Sequence, residues 1–175
     1  QDPQAQALLM VPEINLTPQL EARVHERLAP RWGAQAIVSL HSGLTPAQRL
    51  RSWLSAHSGQ ARIILGTRMA ILASMPHLKL IVVDEEHDPS YKQQEGARYS
   101  ARDLAVYRGQ RAGVAVILGS ATPSLESYHH ALAGRYRLHT LSARAPRLHR
   151  GNTRTPPHSR NGSAATVTQP SITAP

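Results

Sequence analysis

Leu80-Ile81-Val82-Val83-Asp84-Glu85-Glu86-His87-Asp88 is the stretch that determines the fold we predict for this chain. Its four apolar, mostly β-branched residues are typical of a strand buried on both faces of a sheet. The strand stops at four acids within five positions, in a chain whose formal net charge is +9. Like charges at one strand end repel each other unless a cation compensates them, and carboxylate oxygens suit a divalent cation. The stretch therefore predicts a ligand site at the carboxyl end of a strand, whereas a lone Asp-Glu pair would more often be a polar turn.

Outward from this stretch, the hydrophobic pattern predicts strands that alternate with helices. Two of the helices have a Thr-Pro start signal, Thr17-Pro18 and Thr45-Pro46. Most strands are almost continuously apolar, which predicts an α/β fold with a parallel sheet and helices on both faces. The other predicted strands are 7–11, 36–40, 61–65, 114–118 and 136–141, and the helices are 18–28, 46–57, 101–111 and 124–132.

The composition predicts one domain, residues 1–145, followed by a disordered tail, residues 146–175. Residues 151–175 contain no acid and no aromatic residue, and they are rich in Ser, Thr, Pro and Arg. Such a segment cannot bury enough apolar surface to fold. Because the chain starts at Gln1, only a few residues before a strand, we also expect that upstream sequence is missing.

Charge and cysteine content narrow the class of protein. Twenty Lys and Arg against 11 Asp and Glu, with a pI near 11.0, are typical of a protein that binds a polyanion. The absence of cysteine excludes a disulfide framework and a thiolate zinc site within this chain. No apolar run is long enough to cross a bilayer and no signal peptide opens the sequence, so we predict a soluble cytoplasmic protein.

The polar segments that follow the predicted strands converge on one sheet edge, and together they resemble the first, RecA-like motor lobe of superfamily 2 helicases. Asp84-Glu85-Glu86-His87 matches the DExH form of the Walker B motif, motif II, and Ser120-Ala121-Thr122 matches motif III. Motifs Ia and Ib are represented by residues 11–19 and by Gly66-Thr67-Arg68. Residues 88–99 narrow the resemblance to helicases that restart stalled replication forks, and it extends over about residues 8–144.

The resemblance implies an ATP-hydrolysing site with Mg²⁺ and named roles for the acids. Asp84 would bind the metal through water, Glu85 would orient the attacking water, and Glu86 and His87 would relay the nucleotide state. The relay would end at the coupling residues Ser120, Ala121 and Thr122. Taken alone, His87 would more often be a solvated or capping histidine, and residues 120–122 a simple turn.

DNA contacts are predicted on the same edge, as expected for a 3′-to-5′ DNA helicase acting in replication fork restart and primosome assembly. Gly66-Thr67-Arg68 offers amides, a hydroxyl and a guanidinium to phosphates, and residues 91–99 interleave cations with aromatic rings that stack on bases. An aromatic residue is common in the family where this chain has Ala97, and the alternative for this loop is a solvated surface. The predicted DNA-binding residues are Thr17, Gly66, Thr67, Arg68, Tyr91, Lys92, Arg98 and Tyr99.

Several parts of such a helicase are absent from the sequence. There is no glycine-rich loop ending in Gly-Lys-Thr or Gly-Lys-Ser, no second lobe and no cysteine-rich zinc module. We therefore expect the isolated chain to be inactive and its Walker B edge, without the neighbouring strand that carries such a loop, to be poorly ordered. By resemblance, the partners would be forked or single-stranded DNA, primosome proteins and single-strand-binding proteins. Two alternatives remain, a nucleic-acid-binding module without hydrolysis and another superfamily 2 translocase of repair or branch migration.

Overall fold

A computed structural model of the chain describes residues 2–141 and the backbone of residues 164–169. Within these residues the chain alternates strands and helices in the order β1, α1, β2, α2, β3, β4, α3, β5, α4, β6 and β7. The strands are Gln6–Met10, Ile37–Leu40, Ile63–Gly66, Leu78–Val83, Ala115–Ser120, Arg137–Leu141 and Ala164–Gln169, and the helices are Pro18–Trp32, Pro46–His57, Ala101–Ala112 and Leu125–Leu132.

The strands form one sheet in the order β2-β3-β1-β4-β5-β7-β6. The first five pair in parallel, which confirms the predicted fold class. Leu8, Ile64 and Ile81 lie on three adjacent strands and are fully buried, so the core is centred on β1. Strand β4, which leads into the Walker B residues, lies between β1 and β5 and is paired along both edges.

The helices begin where the sequence signals predict. Thr17 accepts a hydrogen bond from the Leu20 N–H at 3.3 Å, and Thr45 forms a capping box with Gln48. Helix α1 ends at Trp32, one turn beyond its predicted end, because Pro30 in the last turn does not stop it. None of the described helices is long and apolar enough to cross a membrane.

Strand β7 lies within the segment that the sequence predicts to be disordered. It pairs antiparallel with β5 on one side and with β6 on the other. The sequence Ala164-Ala165-Thr166-Val167-Thr168-Gln169 contains β-branched residues, and the edge of β5 offers it unpaired backbone groups. The structure describes residues 164–169 as this strand, and the other residues of the predicted tail lie outside the described part of the chain.

Candidate functional site

The DExH turn follows β4 and is bonded to both neighbouring strands. The Asp84 N–H donates to the Met10 carbonyl of β1 at 2.9 Å, and the Glu86 N–H donates to the Gly119 carbonyl of β5 at 3.0 Å. Between them, Glu85 has a φ of 46°, the one non-glycine residue with positive φ among the described residues. A glutamate in this conformation is strained, and the two flanking hydrogen bonds hold it there.

His87 connects the turn to the end of β5. Its Nδ1 lies 2.7 Å from the Ser120 hydroxyl and 3.6 Å from a Glu85 carboxylate oxygen. Ser120 also accepts a hydrogen bond from the Thr122 N–H at 3.0 Å. The structure thus brings the predicted relay residues together, with Thr122 joined through its backbone and Ala121 exposed beside it.

Glu86 does not face the solvent side of the turn with the other acids. Its side chain is fully buried and accepts hydrogen bonds from the Ser124 N–H at 2.6 Å, the Ser124 hydroxyl at 3.0 Å and the Ser127 hydroxyl at 2.9 Å. Arg102 lies 3.4 Å from the same carboxylate. The structure therefore places Glu86 behind the turn rather than beside Asp84 and Glu85, and its predicted part in the catalytic relay stays a prediction.

Asp84 and Glu85 remain the acids open to solvent at the end of β4. The Asp84 residue is exposed, and 38% of the Glu85 side chain is accessible. Within residues 2–141, no three His, Asp or Glu side chains are grouped closely enough to hold a metal ion by themselves. The arrangement fits Mg²⁺, which takes one or two carboxylates and completes its octahedron with water and phosphate oxygens.

The loop after the turn is fixed by contacts that the sequence did not predict. Tyr91 is 1% exposed, and its hydroxyl donates to the Asp84 carbonyl at 2.7 Å. Burial raises the pKa of Tyr91, and the Asp84 carboxylate adds to the shift, so the hydroxyl stays protonated. Arg68 donates to the carbonyls of Ser90 at 2.8 Å and Lys92 at 3.1 Å. Tyr91 is therefore unavailable for stacking on a base, and Arg68 braces the loop.

A groove of about 250 Å³ lies between this loop and the ends of β1, β2 and β3. Of the predicted DNA-binding residues, Thr67, Arg68 and Tyr99 line it. Lys92 and Arg98 are exposed on the loop, and the Thr17 hydroxyl accepts from the helix α1 backbone. The other lining residues are Glu13, Ser42, Met69, Gln93, Glu95 and Ala97.

Gly66 differs from its predicted role because it is buried in the sheet. A Cβ at this position would lie 2.6 Å from the Leu40 carbonyl oxygen and would overlap the side chain of Ala70. Thr67 is 3% exposed, so it offers the groove at most its hydroxyl edge. Burial of both residues follows from the parallel pairing of β3 between β1 and β2.

Sequence reasoning missed Arg102, Ser124 and Ser127. Burial acts to lower the pKa of Arg102, and the carboxylates of Asp103, Glu86 and Glu126 outweigh it, so the pKa is raised and the side chain stays charged. The sequence does contain one signal for these serines. Ser124 precedes helix α4 and Ser127 follows three residues later, a spacing typical of a helix N-cap. No spacing rule connects either serine to Glu86.

Comparisons of this sequence with protein-family models and with known proteins identify the family to which the chain belongs. A family model described as DEAD/DEAH box helicase matches residues 1–131. Three relatives named replication restart protein PriA are similar to this chain. The relative from Haemophilus influenzae is 48% identical over 140 residues, that from Chlamydia pneumoniae 48% over 143, and that from Bacillus subtilis 42% over 139. The matches cover 80%, 81% and 79% of this chain but only 18%, 18% and 17% of the relatives, so the chain spans less than a fifth of their length.

Proposed function

Because the chain belongs to the DEAD/DEAH box helicase family, we propose that it forms part of the ATP-hydrolysing lobe of a 3′-to-5′ DNA helicase of replication restart and primosome assembly. The relatives' name, replication restart protein PriA, supports the proposed role in replication restart. The observation that carries the proposal is the contact between the DExH turn and the end of β5. There, His87 lies within hydrogen-bonding distance of Ser120 and close to Glu85.

The chemistry is proposed for the two exposed acids. The Glu85 carboxylate accepts a proton from the attacking water and orients it toward the γ-phosphate of ATP. Asp84 would hold Mg²⁺ through water, and the ion would supply positive charge to offset that of the phosphates. His87 relays the position of Glu85 to β5, because its Nδ1 lies near both the Glu85 carboxylate and the Ser120 hydroxyl.

DNA is proposed to lie along the groove beside the loop. Lys92 and Arg98 are exposed cations that attract phosphates, and Tyr99 presents a ring at the groove. Glu13 and Glu95 line the same groove, so bases and sugars suit its interior better than phosphates do. The proposed partners are forked or single-stranded DNA, primosome proteins and single-strand-binding proteins, in the cytoplasm.

We propose that the 175-residue chain does not hydrolyse ATP by itself. Its two lysines, Lys79 and Lys92, follow Leu and Tyr rather than glycine, so neither belongs to a Gly-Lys-Thr or Gly-Lys-Ser phosphate loop. Without such a loop the β- and γ-phosphates lose the backbone amides and the ammonium group that bind them. Activity is therefore proposed for the complete helicase that contains this lobe.

The test is Glu85→Gln in the complete helicase. The amide keeps the size of the side chain but cannot accept the proton, so we expect DNA-stimulated turnover to fall by on the order of 10²-fold while ATP binding persists. Glu26→Gln, which removes an exposed carboxylate from helix α1, is the matched control and should hydrolyse ATP normally. Retained DNA-stimulated hydrolysis in Glu85→Gln would refute the assignment.

A further inference from the structure

The buried carboxylate of Glu86 joins three separate parts of the chain. Its Oε1 accepts from the Ser124 N–H, and its Oε2 accepts from the hydroxyls of Ser124 and Ser127. Arg102 approaches the same Oε2 and also donates to the Ser124 hydroxyl at 2.9 Å. We call Glu86, Arg102, Ser124 and Ser127 the carboxylate clasp. It ties the DExH turn to the first turns of helices α3 and α4.

Helix α4 depends on the clasp because its apolar packing is thin. Leu125 and Leu132 are 85% and 67% exposed, and Ser127 is the one buried residue of the helix. A cavity of about 350 Å³ opens next to the clasp, lined among others by Arg102, Glu126 and Tyr136. The Glu86 carboxylate lies at the N-terminal end of α4, where a negative charge is favourable.

Through Arg102 the clasp also reaches the loop that borders the groove. Ser100 caps helix α3 and bridges antiparallel to Lys92, so the loop closes at the residue before the helix. Arg102 is the second residue of that helix. A displacement at the base of the loop would therefore move the Arg102 guanidinium, which is bonded to Glu86 in the DExH turn.

We infer that Glu86 and Arg102 are positioning residues that hold the DExH turn in register with the end of β5. They act through the Glu86 N–H bond to Gly119 and the adjacent contact between His87 and Ser120. Neither residue touches substrate in this arrangement. The inference rests on the proposed function, because it assigns to the clasp the alignment on which DNA-stimulated hydrolysis depends.

The experiment replaces Glu86 by Gln in the complete helicase and in this chain. In either orientation the amide nitrogen would face an obligatory donor, the Ser124 N–H on one side or the Arg102 guanidinium on the other, so a donor would meet a donor and the clasp would open. We expect DNA-stimulated kcat to fall about tenfold while KM for ATP stays within about twofold. Glu126→Gln is the matched control, since Glu126 lies 3.8 Å from Arg102 but is exposed and does not contact Glu86.

A second readout does not depend on hydrolysis. In this chain, NMR signals of the His87 ring, assigned with a His87→Asn variant, should shift in Glu86→Gln and not in Glu126→Gln. A purely structural role would lower the melting temperature but leave kcat and the His87 signals of the folded protein unchanged, and that result would overturn the inference. If Glu86→Gln does not fold, Ser127→Ala removes a single donor and should shift the same signals, whereas unchanged signals would refute the clasp. If the wild-type helicase showed no DNA-stimulated hydrolysis, the proposed function would be refuted. The His87 signals of Glu86→Gln and Glu126→Gln would still show whether the clasp positions the DExH turn.

Discussion

Replacing Gly66 by alanine should unfold this chain at markedly lower temperature without removing any DNA contact. The new Cβ would lie 2.6 Å from the Leu40 carbonyl oxygen of β2 and would overlap the Cβ of Ala70. Neither atom can rotate away, because one belongs to a sheet ladder and the other to a fully buried residue. The backbone must therefore shift where β3 pairs with β2.

The magnitude follows from the closeness of these contacts. Overpacking of a core typically costs 1–3 kcal/mol, and clashes with fixed backbone lie at the upper end, so we expect about 3 kcal/mol. For a chain of this size that corresponds to a melting temperature lowered by roughly 6–12 °C. Gly96→Ala is the control. A Cβ at Gly96 meets no atom within 4 Å, and its φ of 65° makes the cost about 1 kcal/mol.

The assay is thermal and urea unfolding of both variants followed by circular dichroism. Gly66→Ala should have the lower urea midpoint with an unchanged slope, since the surface exposed on unfolding is the same. If Gly66 instead served the DNA contact that its position after a strand suggests, Gly66→Ala would unfold like the wild type and bind DNA more weakly. Equal midpoints for Gly66→Ala and the wild type would refute the packing argument.

Three further predictions concern the loop and the exposed acids. Tyr91→Phe keeps the packing but removes the hydroxyl that donates to the Asp84 carbonyl, so it should lower the free energy of unfolding by about 1 kcal/mol. Because the pKa of Tyr91 is raised in the folded chain, the unfolded chain loses the Tyr91 proton at lower pH, and the stability of the wild type should fall above about pH 10. In urea titrations over that pH range, Tyr91→Phe should lose less stability than the wild type. Arg98→Ala should lower the magnitude of the slope of log K for DNA binding against log salt concentration, measured by fluorescence anisotropy, by about 0.7 to 1. The Arg68 guanidinium is bonded to loop carbonyls, so Arg68→Ala should leave that slope unchanged and make the loop more sensitive to protease. Equal slope changes in the two variants would contradict this distinction. Mg²⁺ with ATP should not raise the melting temperature of the 175-residue chain, because only a ligand that binds the folded state stabilises it, and a clear thermal shift would show that the chain binds nucleotide.

The sequence alone determined the alternating strands and helices up to β6 and the chemistry of the sheet edge. Apolar β-branched runs, Thr-Pro caps and the acids after Val83 are local patterns, and backbone preference together with side-chain period fixes what they form. Because parallel strands end at one edge, the motifs that follow β4 and β5 had to lie close together. The contact between His87, after β4, and Ser120, at the end of β5, shows that they do.

Only the tertiary structure decided which side chains of these motifs point inward. Glu86 meets Ser124 38 residues later, Arg68 meets carbonyls 22 and 24 residues later, and Tyr91 folds back onto Asp84. Gly66 and Thr67 are buried because two strands distant in sequence flank them. The pairing of β7 with β5 depends likewise on an open sheet edge. The physical reason is common to these cases, since burial and hydrogen-bond satisfaction are set by neighbours that the chain brings together only when the sheet forms.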